Sequence, residues 1–287
     1  MFLPDGRRLV AEKEGRIQIV SASGVKRSTP FLDLSAEVMS NGDRGLLGVA
    51  LDPDFAVNRW IYLSYVVDPG IDAPDQGTPA FARVERIKMS ALNPDVADLS
   101  TRQILIGHTF ADGIPEPGRD HLHSIGSLRF GDDKTLLVAS GDGGDASFTD
   151  PGGYESAFGS ELVPPEQNIG AFRAQSLHSM AGKILRIDKE TGLGLPINPY
   201  WDGDGTSARS RVWVYGLRNP FRFALRAGSG STDPSTGRPG SLYIGDVGWR
   251  TTEEFDIASS GGANYGWPCI EGNRPNPDYE AITETGY

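Results

Sequence analysis

The stretch RVWVYGLRNPFRFAL at residues 211–225, continued by LYIGDVGWRTTEEFDI at 242–257 and GGANYGWP at 261–268, decides how this chain is read. Val212 and Val214 alternate as a half-buried strand does, and the Tyr215–Leu217 edge then runs into Arg218-Asn219-Pro220, a cation, an amide and a breaker. A β-scaffold presents chemistry at such a strand end. The pattern restarts at Leu242-Tyr243-Ile244 and ends in Gly245-Asp246. After Glu253-Glu254 it resumes with Phe255-Asp256-Ile257 before a glycine-rich turn. This repetition predicts that 211 to about 257 is one blade of a repeated β-architecture.

Working outward, Arg7–Lys13 and Arg16–Ser21 read as a hairpin joined by Glu14-Gly15. RGLLGVALDPDF at 44–55 contains the apolar strand Leu46–Leu51, ended by Asp52-Pro53, with Trp60–Val67 as its partner. Arg83–Lys88 and Gln103–Ile106 complete a four-stranded sheet around an Asn93-Pro94 turn. A second unit begins at His123, turns at Asp132-Asp133, returns through Thr135–Ser140 and resumes at Lys183–Asp188. Residues 142–178 between them form a loop long enough to be functional. Turn-separated units of roughly 50 to 80 residues suit a propeller better than a sandwich. No linker composition interrupts them, so residues 1–287 are read as a single domain.

Composition agrees. With 37 Gly and 20 Pro in 287 residues, turns are frequent and long helical periodicity is hard to find. A formal charge of −11 opposes attachment to nucleic-acid phosphates or anionic lipid. Cys269 stands alone, so an intrachain disulfide is excluded. No apolar run approaches the ~20 residues that span a membrane, and the N-terminal Met1-Phe2-Leu3-Pro4-Asp5 lacks the regions of a signal peptide.

Several motifs offer chemistry, each with a plainer reading beside it. In Asp120-His121-Leu122-His123 alternate residues share a face, so the two imidazoles can point into one pocket. Zinc needs at least a third protein ligand, which the following Ser124-Ile125-Gly126 does not supply. A single catalytic His or an ordinary hydrogen-bonded one are the remaining readings. Gly141-Asp142-Gly143-Gly144-Asp145-Ala146 has the glycine spacing of a nucleotide fingerprint, but Pro151-Gly152-Gly153 replaces the helix that would hold a pyrophosphate. Asp202-Gly203-Asp204 opens like an EF-hand, yet Trp213 stands where the bidentate Glu belongs, leaving a solvated turn or an irregular calcium loop. Arg218-Asn219 can orient a planar anionic ligand with a donor fork and an amide, or can tie blade carbonyls together.

At these residues the chain resembles the soluble quinoprotein glucose/sorbosone dehydrogenase family. RGLLGVALDPDF, HSIGSLRFGDDKTLLVASGDGG (123–144), SMAGKILRID (179–188), YGLRNPFRFAL, GDVGWRTTEEFDI and NYGWP occur in that family's order and approximate spacing. The resemblance spans nearly the whole chain. It implies an all-β, six-bladed propeller that oxidises a sugar or alcohol with pyrroloquinoline quinone and Ca2+, passing electrons to an external acceptor. It implies His123 as the base that takes a hydroxyl proton and Arg218 and Asn219 as cofactor contacts. It also implies main-chain carbonyls of Gly248 and Trp249 as calcium ligands, and a periplasmic or extracellular location.

Two departures qualify what the resemblance implies. Asp43-Arg44 stands before GLLG where dehydrogenases of this kind often present Gln, and an extra carboxylate repels an anionic quinone unless Ca2+ or Arg44 offsets it. The expected length also falls short: about four of six blades are expected in this chain, with the C-terminal blades and their basic residues missing. The alternative function is a non-catalytic propeller that binds carbohydrate or protein.

Overall fold

The computed structural model describes residues 1–68, 70, 79–117, 122–153 and 164–283. Its strands form successive antiparallel meanders. The first sheet holds β1 (Arg8–Ala11), β2 (Arg16–Val20) and β3 (Leu32–Asp33) in that order. The second holds β4 (Leu46–Leu51), β5 (Trp60–Val67), β6 (Ala80–Met89) and β7 (Ala97–Ile106), and β8 (Ile114–Glu116) pairs with the start of β6. The third runs β9 (Ile125–Phe130), β10 (Leu136–Ser140), β11 (Lys183–Ile187), β12 (Val212–Tyr215). The fourth is β13 (Arg222–Leu225), β14 (Leu242–Asp246) and β15 (Glu254–Ala258), followed by a ribbon of β16 (Ile270–Glu271) and β17 (Arg274–Pro275).

Side-chain alternation then stacks the sheets. Every residue of β10 is buried, because both of its faces are covered. Leu136 and Val138 pack with Tyr62, Val84 and Ile125 of the second and third sheets. Leu137 and Ala139 pack on the other side with Phe223, Leu242 and Ile244 of the fourth. Leu9, Ile17 and Ile19 meet Ile61, Leu63 and Ile87 between the first and second sheets. Each sheet is thus a layer of a continuous stack. Phe255 and Ile257 lie on the fourth sheet's other face, 70% and 54% exposed.

The first strands of neighbouring sheets, β4, β9 and β13, pack side by side, which is the propeller arrangement of blades about an axis. Glycine makes their approach possible. A Cβ on Gly48 of β4 would stand 2.8 Å from the Gly126 carbonyl oxygen, and one on Gly126 of β9 would stand 2.7 Å from that of Phe221. The glycines of GLLG and HSIG therefore mark where inner strands touch.

The blade boundary differs from the sequence-based expectation. Val212–Tyr215 does not begin a blade; it is the last strand of the third sheet, paired with β11 in the register Lys183↔Tyr215 and Ile184↔Val214. The reason lies in Arg218-Asn219-Pro220. This segment carries the chain from the outer strand of one sheet to the inner strand of the next, where a hairpin would have returned it along β12. Pro220 also lacks the N–H that a continuing ladder uses.

Candidate active site

Strand pairing brings two distant motifs together. Ser140 at the end of β10 pairs with Ile125 at the start of β9, so the residues just before β9 and just after β10 meet at one end of the sheet. These are His123 and Asp142. The His123 ring Nδ1 lies 2.7 Å from Asp142 Oδ1, with the two residues 3% and 0% exposed. Burial pushes the Asp142 carboxyl up, but the His123 ring and the Arg218 charge outweigh it and hold the group below the usual carboxylate range. An ionised Asp142 accepts Nδ1–H, which leaves Nε2 of a neutral imidazole with its lone pair. No hydrogen bond occupies Nε2 among the described residues.

The backbone at His123 is held in the left-handed region, at φ 53°, which a side chain other than glycine adopts only when its surroundings require it. Here they do. Asp43 Oδ2 accepts the His123 N–H at 3.2 Å, and the His123 carbonyl accepts from Gly143 N at 3.1 Å. Asp43 thus supports the turn that aims the imidazole. Its neighbour Arg44 is fully buried and donates Nη2 to the Glu116 carbonyl at 2.6 Å. The Glu116 carboxylate accepts from Ser124 Oγ at 2.8 Å and Ile125 N at 2.9 Å, bracing the same turn from below.

Arg218 and Asn219 reach Asp142 from the crossover. Asp142 N–H donates to the Arg218 carbonyl at 2.8 Å. The N–H groups of Arg218 and Asn219 donate to the two Asp246 oxygens at 2.9 and 2.6 Å. The Arg218 Nη1 donates to the Val247 and Gly248 carbonyls at 3.0 and 2.8 Å, so the carbonyl-tying reading of this arginine holds for that nitrogen. Its Nε, and the Asn219 Oδ1, are buried and have no hydrogen-bond partner among the described residues. A donor and an acceptor thus remain free beside Asp142.

Trp267 closes the floor. Its Nε1 donates to Asp142 Oδ2 at 2.6 Å, and the Arg218 guanidinium lies over its ring at 5.3 Å. Trp249 packs edge-on against Trp267, and its Nε1 donates to the Ala146 carbonyl at 2.9 Å. Of the residues the sequence put forward, His123 and Arg218 therefore bond Asp142 and Trp249 packs on Trp267, while Gly248 joins them through Arg218 and Asn219 through Asp246.

Other motifs stand apart. His121 lies outside the described residues. Asp202 spends its oxygens on Asp204 N, Ser207 Oγ and Ser210 Oγ, a self-contained turn. Among the described residues one carboxylate trio, Asp246, Glu254 and Asp256, brings an oxygen from each within 4.8 Å, and burial pushes Asp246 up to about 8. A cavity of about 540 Å3 on the flank of β7, lined by Leu105, Phe110, His178 and Arg211 among others, is formed by none of the site residues.

Sequence reasoning missed Asp142, Trp267 and Glu116. Asp142 was legible: in a meander, a residue just past one strand meets the residue just before its antiparallel neighbour. In the sequence it reads only as part of a glycine-spaced nucleotide fingerprint, which the Pro151-Gly152-Gly153 that follows rules against, and no other role is assigned to it. Trp267 and Glu116 carried no such signal.

The arrangement is that of a β-propeller with a carboxylate-held histidine beside a cationic crossover. The family described as Glucose / Sorbosone dehydrogenase matches residues 1–285, and the chain belongs to that family. It is similar to the aldose sugar dehydrogenase of Escherichia coli, at 26% identity over 93% of this chain and 57% of that protein. It is similar to human Hedgehog-interacting protein, at 29% identity over 76% of this chain and 28% of that protein. Among solved structures, the PQQ-bound aldose sugar dehydrogenase of Streptomyces coelicolor superposes with a TM-score of 0.63 at 26% identity, covering 94% of this chain and 61% of that one. The chain thus spans little more than half the length of these bacterial relatives. Among the described residues no helix is long and apolar enough to cross a membrane.

Proposed function

We propose that this chain is part of an oxidoreductase that oxidises an aldose or related alcohol, with pyrroloquinoline quinone as cofactor and Ca2+ assisting. The observation that carries the reading is the pairing of His123 with Asp142 beside the unpartnered Arg218 Nε and Asn219 Oδ1. Buried polar groups without partners are costly, and a quinone bearing carbonyls and carboxylates supplies acceptors and anionic charge where this arginine faces. The free Arg218 N–H fits these acceptors, while the free Asn219 oxygen would take an N–H donor from the cofactor. The carbonyls of Gly248 and Trp249 would hold the calcium ion, a hard cation that takes oxygen ligands. Gly248 oxygen meets a cationic group, Arg218 Nη1, in this structure.

When bound, the quinone supplies a two-electron acceptor and the metal polarises it. The chain's own residues do the rest. His123 Nε2 takes the hydroxyl proton of the substrate while the hydrogen on the same carbon leaves as hydride, so C–OH becomes C=O with both electrons leaving the sugar. Asp142 keeps the imidazole in the correct tautomer and steadies the charge it gains. Arg218 opposes the negative charge that grows on the cofactor side. Electrons then pass to an external acceptor, in a periplasmic or extracellular setting, with the four sheets forming part of a single propeller domain.

The test is reduction of an artificial dye by an aldose, measured with quinone and Ca2+ added separately and together. Turnover that needs both supports the proposal; no turnover under any combination in the full-length protein defeats it. A second reading, a propeller that binds without chemistry, is favoured by the likeness to Hedgehog-interacting protein. Sugar or protein affinity indifferent to quinone would be its mark.

A further inference from the structure

We propose that Glu271 sets the cation affinity of the Gly248 and Trp249 carbonyls, acting through the peptide groups that carry them. The inference rests on the reading above, in which those carbonyls take Ca2+.

Glu271 ends β16 and is 7% exposed. One of its oxygens, Oε1, accepts the N–H groups of Trp249 at 2.7 Å, Arg250 at 2.9 Å, Thr251 at 3.0 Å and Thr252 at 3.3 Å. Four consecutive N–H groups converging on one oxygen form a nest around a negative charge. This would staple a loop wherever it occurred. Its position here does more.

A carbonyl and the N–H of the next residue belong to one planar peptide group. The Trp249 N–H is therefore the back of the Gly248 carbonyl, and the Arg250 N–H is the back of the Trp249 carbonyl. Both backs are bonded to Glu271 Oε1. In a trans peptide the oxygen points opposite to the N–H, so the Gly248 oxygen is turned away from Glu271 and toward Arg218, whose Nη1 it accepts at 2.8 Å. The result is an unbroken line of carboxylate, peptide and cation. Hydrogen bonds in series polarise one another, so an anion behind the peptide makes its oxygen a stronger donor to a positive charge. Metal ligands are commonly tuned by such partners, whose loss weakens binding by about 10- to 100-fold. By contrast Glu253, which backs the Val247 peptide by accepting Gly248 N–H at 3.1 Å, is exposed and screened.

Terbium(III), whose emission is sensitised by a nearby tryptophan, and Ca2+ itself would be titrated into the chain with pyrroloquinoline quinone present. Glu271→Gln keeps an acceptor oxygen and removes the charge. It should bind either ion about 10- to 100-fold more weakly, with an unchanged far-UV spectrum, while Glu190→Gln, at an exposed carboxylate elsewhere, binds as the parent does. A folded Glu271→Gln with parental affinity overturns the proposal and leaves the calcium reading intact. Equal weakening in Glu190→Gln also overturns it. If Glu271→Gln does not fold, Glu271→Asp withdraws the charge by one methylene: weaker binding supports the proposal and parental affinity overturns it. A parent that binds neither ion overturns both the proposal and the calcium reading.

Discussion

The Nδ1 of His123 meets Asp142 Oδ1 at 2.7 Å, in a contact that joins the loop before β9 to the loop after β10. Asp142 is itself fixed by Trp267 Nε1 and Gly144 N, so the imidazole has one orientation available. A positioned base contributes about 10²- to 10⁴-fold to a proton transfer. His123→Ala should lower kcat/KM for aldose-dependent dye reduction by that amount while quinone affinity changes little. Asp142→Asn should fall in the same range, because an amide can present its N–H to Nδ1 and favour the wrong tautomer. Full activity in either variant would remove the dyad from the mechanism.

The free polar atoms of the crossover give a separate test. Hydrogen bonds to charged groups contribute about 1.5–3 kcal/mol, so Arg218→Ala should weaken quinone binding by roughly 10- to 150-fold at 1.4 kcal/mol per decade. Asn219→Ala removes a neutral bond and should cost about 0.5–1.5 kcal/mol. Quenching of tryptophan fluorescence, with Trp267 lying under Arg218, reads both affinities. Unchanged binding in both variants would mean that water, not cofactor, satisfies Arg218 Nε and Asn219 Oδ1.

Strands were legible where burial wrote itself as apolar runs, on both faces in Trp60–Val67 and Leu136–Ser140 and more fully on one face than the other in Leu46–Leu51. The blade boundary was not, because a strand's own pattern does not say which neighbour it pairs with; Val212–Tyr215 would read the same on either sheet. At the site, His123, Arg218 and Asn219 stood out as polar residues at strand ends. Asp142, Trp267 and Glu116 act through residues 19, 125 and 8 positions away respectively, distances that only the folded meander closes.

The inner-strand contacts predict a sharp difference between two glycines. A Cβ at Gly126 would come within 2.7 Å of the Phe221 backbone oxygen, and that oxygen cannot swing away as a side chain would. Gly126→Ala should therefore lose about 1–3 kcal/mol of stability through overpacking. At Gly245 on β14 the nearest atom to a new Cβ is Arg222 O at 3.6 Å, an ordinary contact, so Gly245→Ala should be near neutral. Urea denaturation of the two variants checks this. Equal midpoints would mean that β9 and β13 do not approach as described.

Glu116 predicts a pH dependence with a definite sign. Burial raises its carboxyl, Arg44, Ser124 and Ile125 oppose this, and the Asp43 charge adds to it, bringing the group to about 7 from an ordinary 4.5. Arg173 also faces it across the core. Below pH 4.5 both folded and unfolded chains hold the proton. Between 4.5 and about 7 only the folded chain holds it, so the folded state binds more protons and stability falls as pH rises. Above that window the loss is complete. Glutamine mimics the protonated acid throughout, so the stability of Glu116→Gln relative to the parent should climb across the window, by up to about 3 kcal/mol at 1.36 kcal/mol per pH unit. Unfolding free energies at pH 5 and pH 7.5 measure the difference in slope, and parallel pH profiles for the two proteins would show that Glu116 ionises in the folded state as it does in the unfolded one.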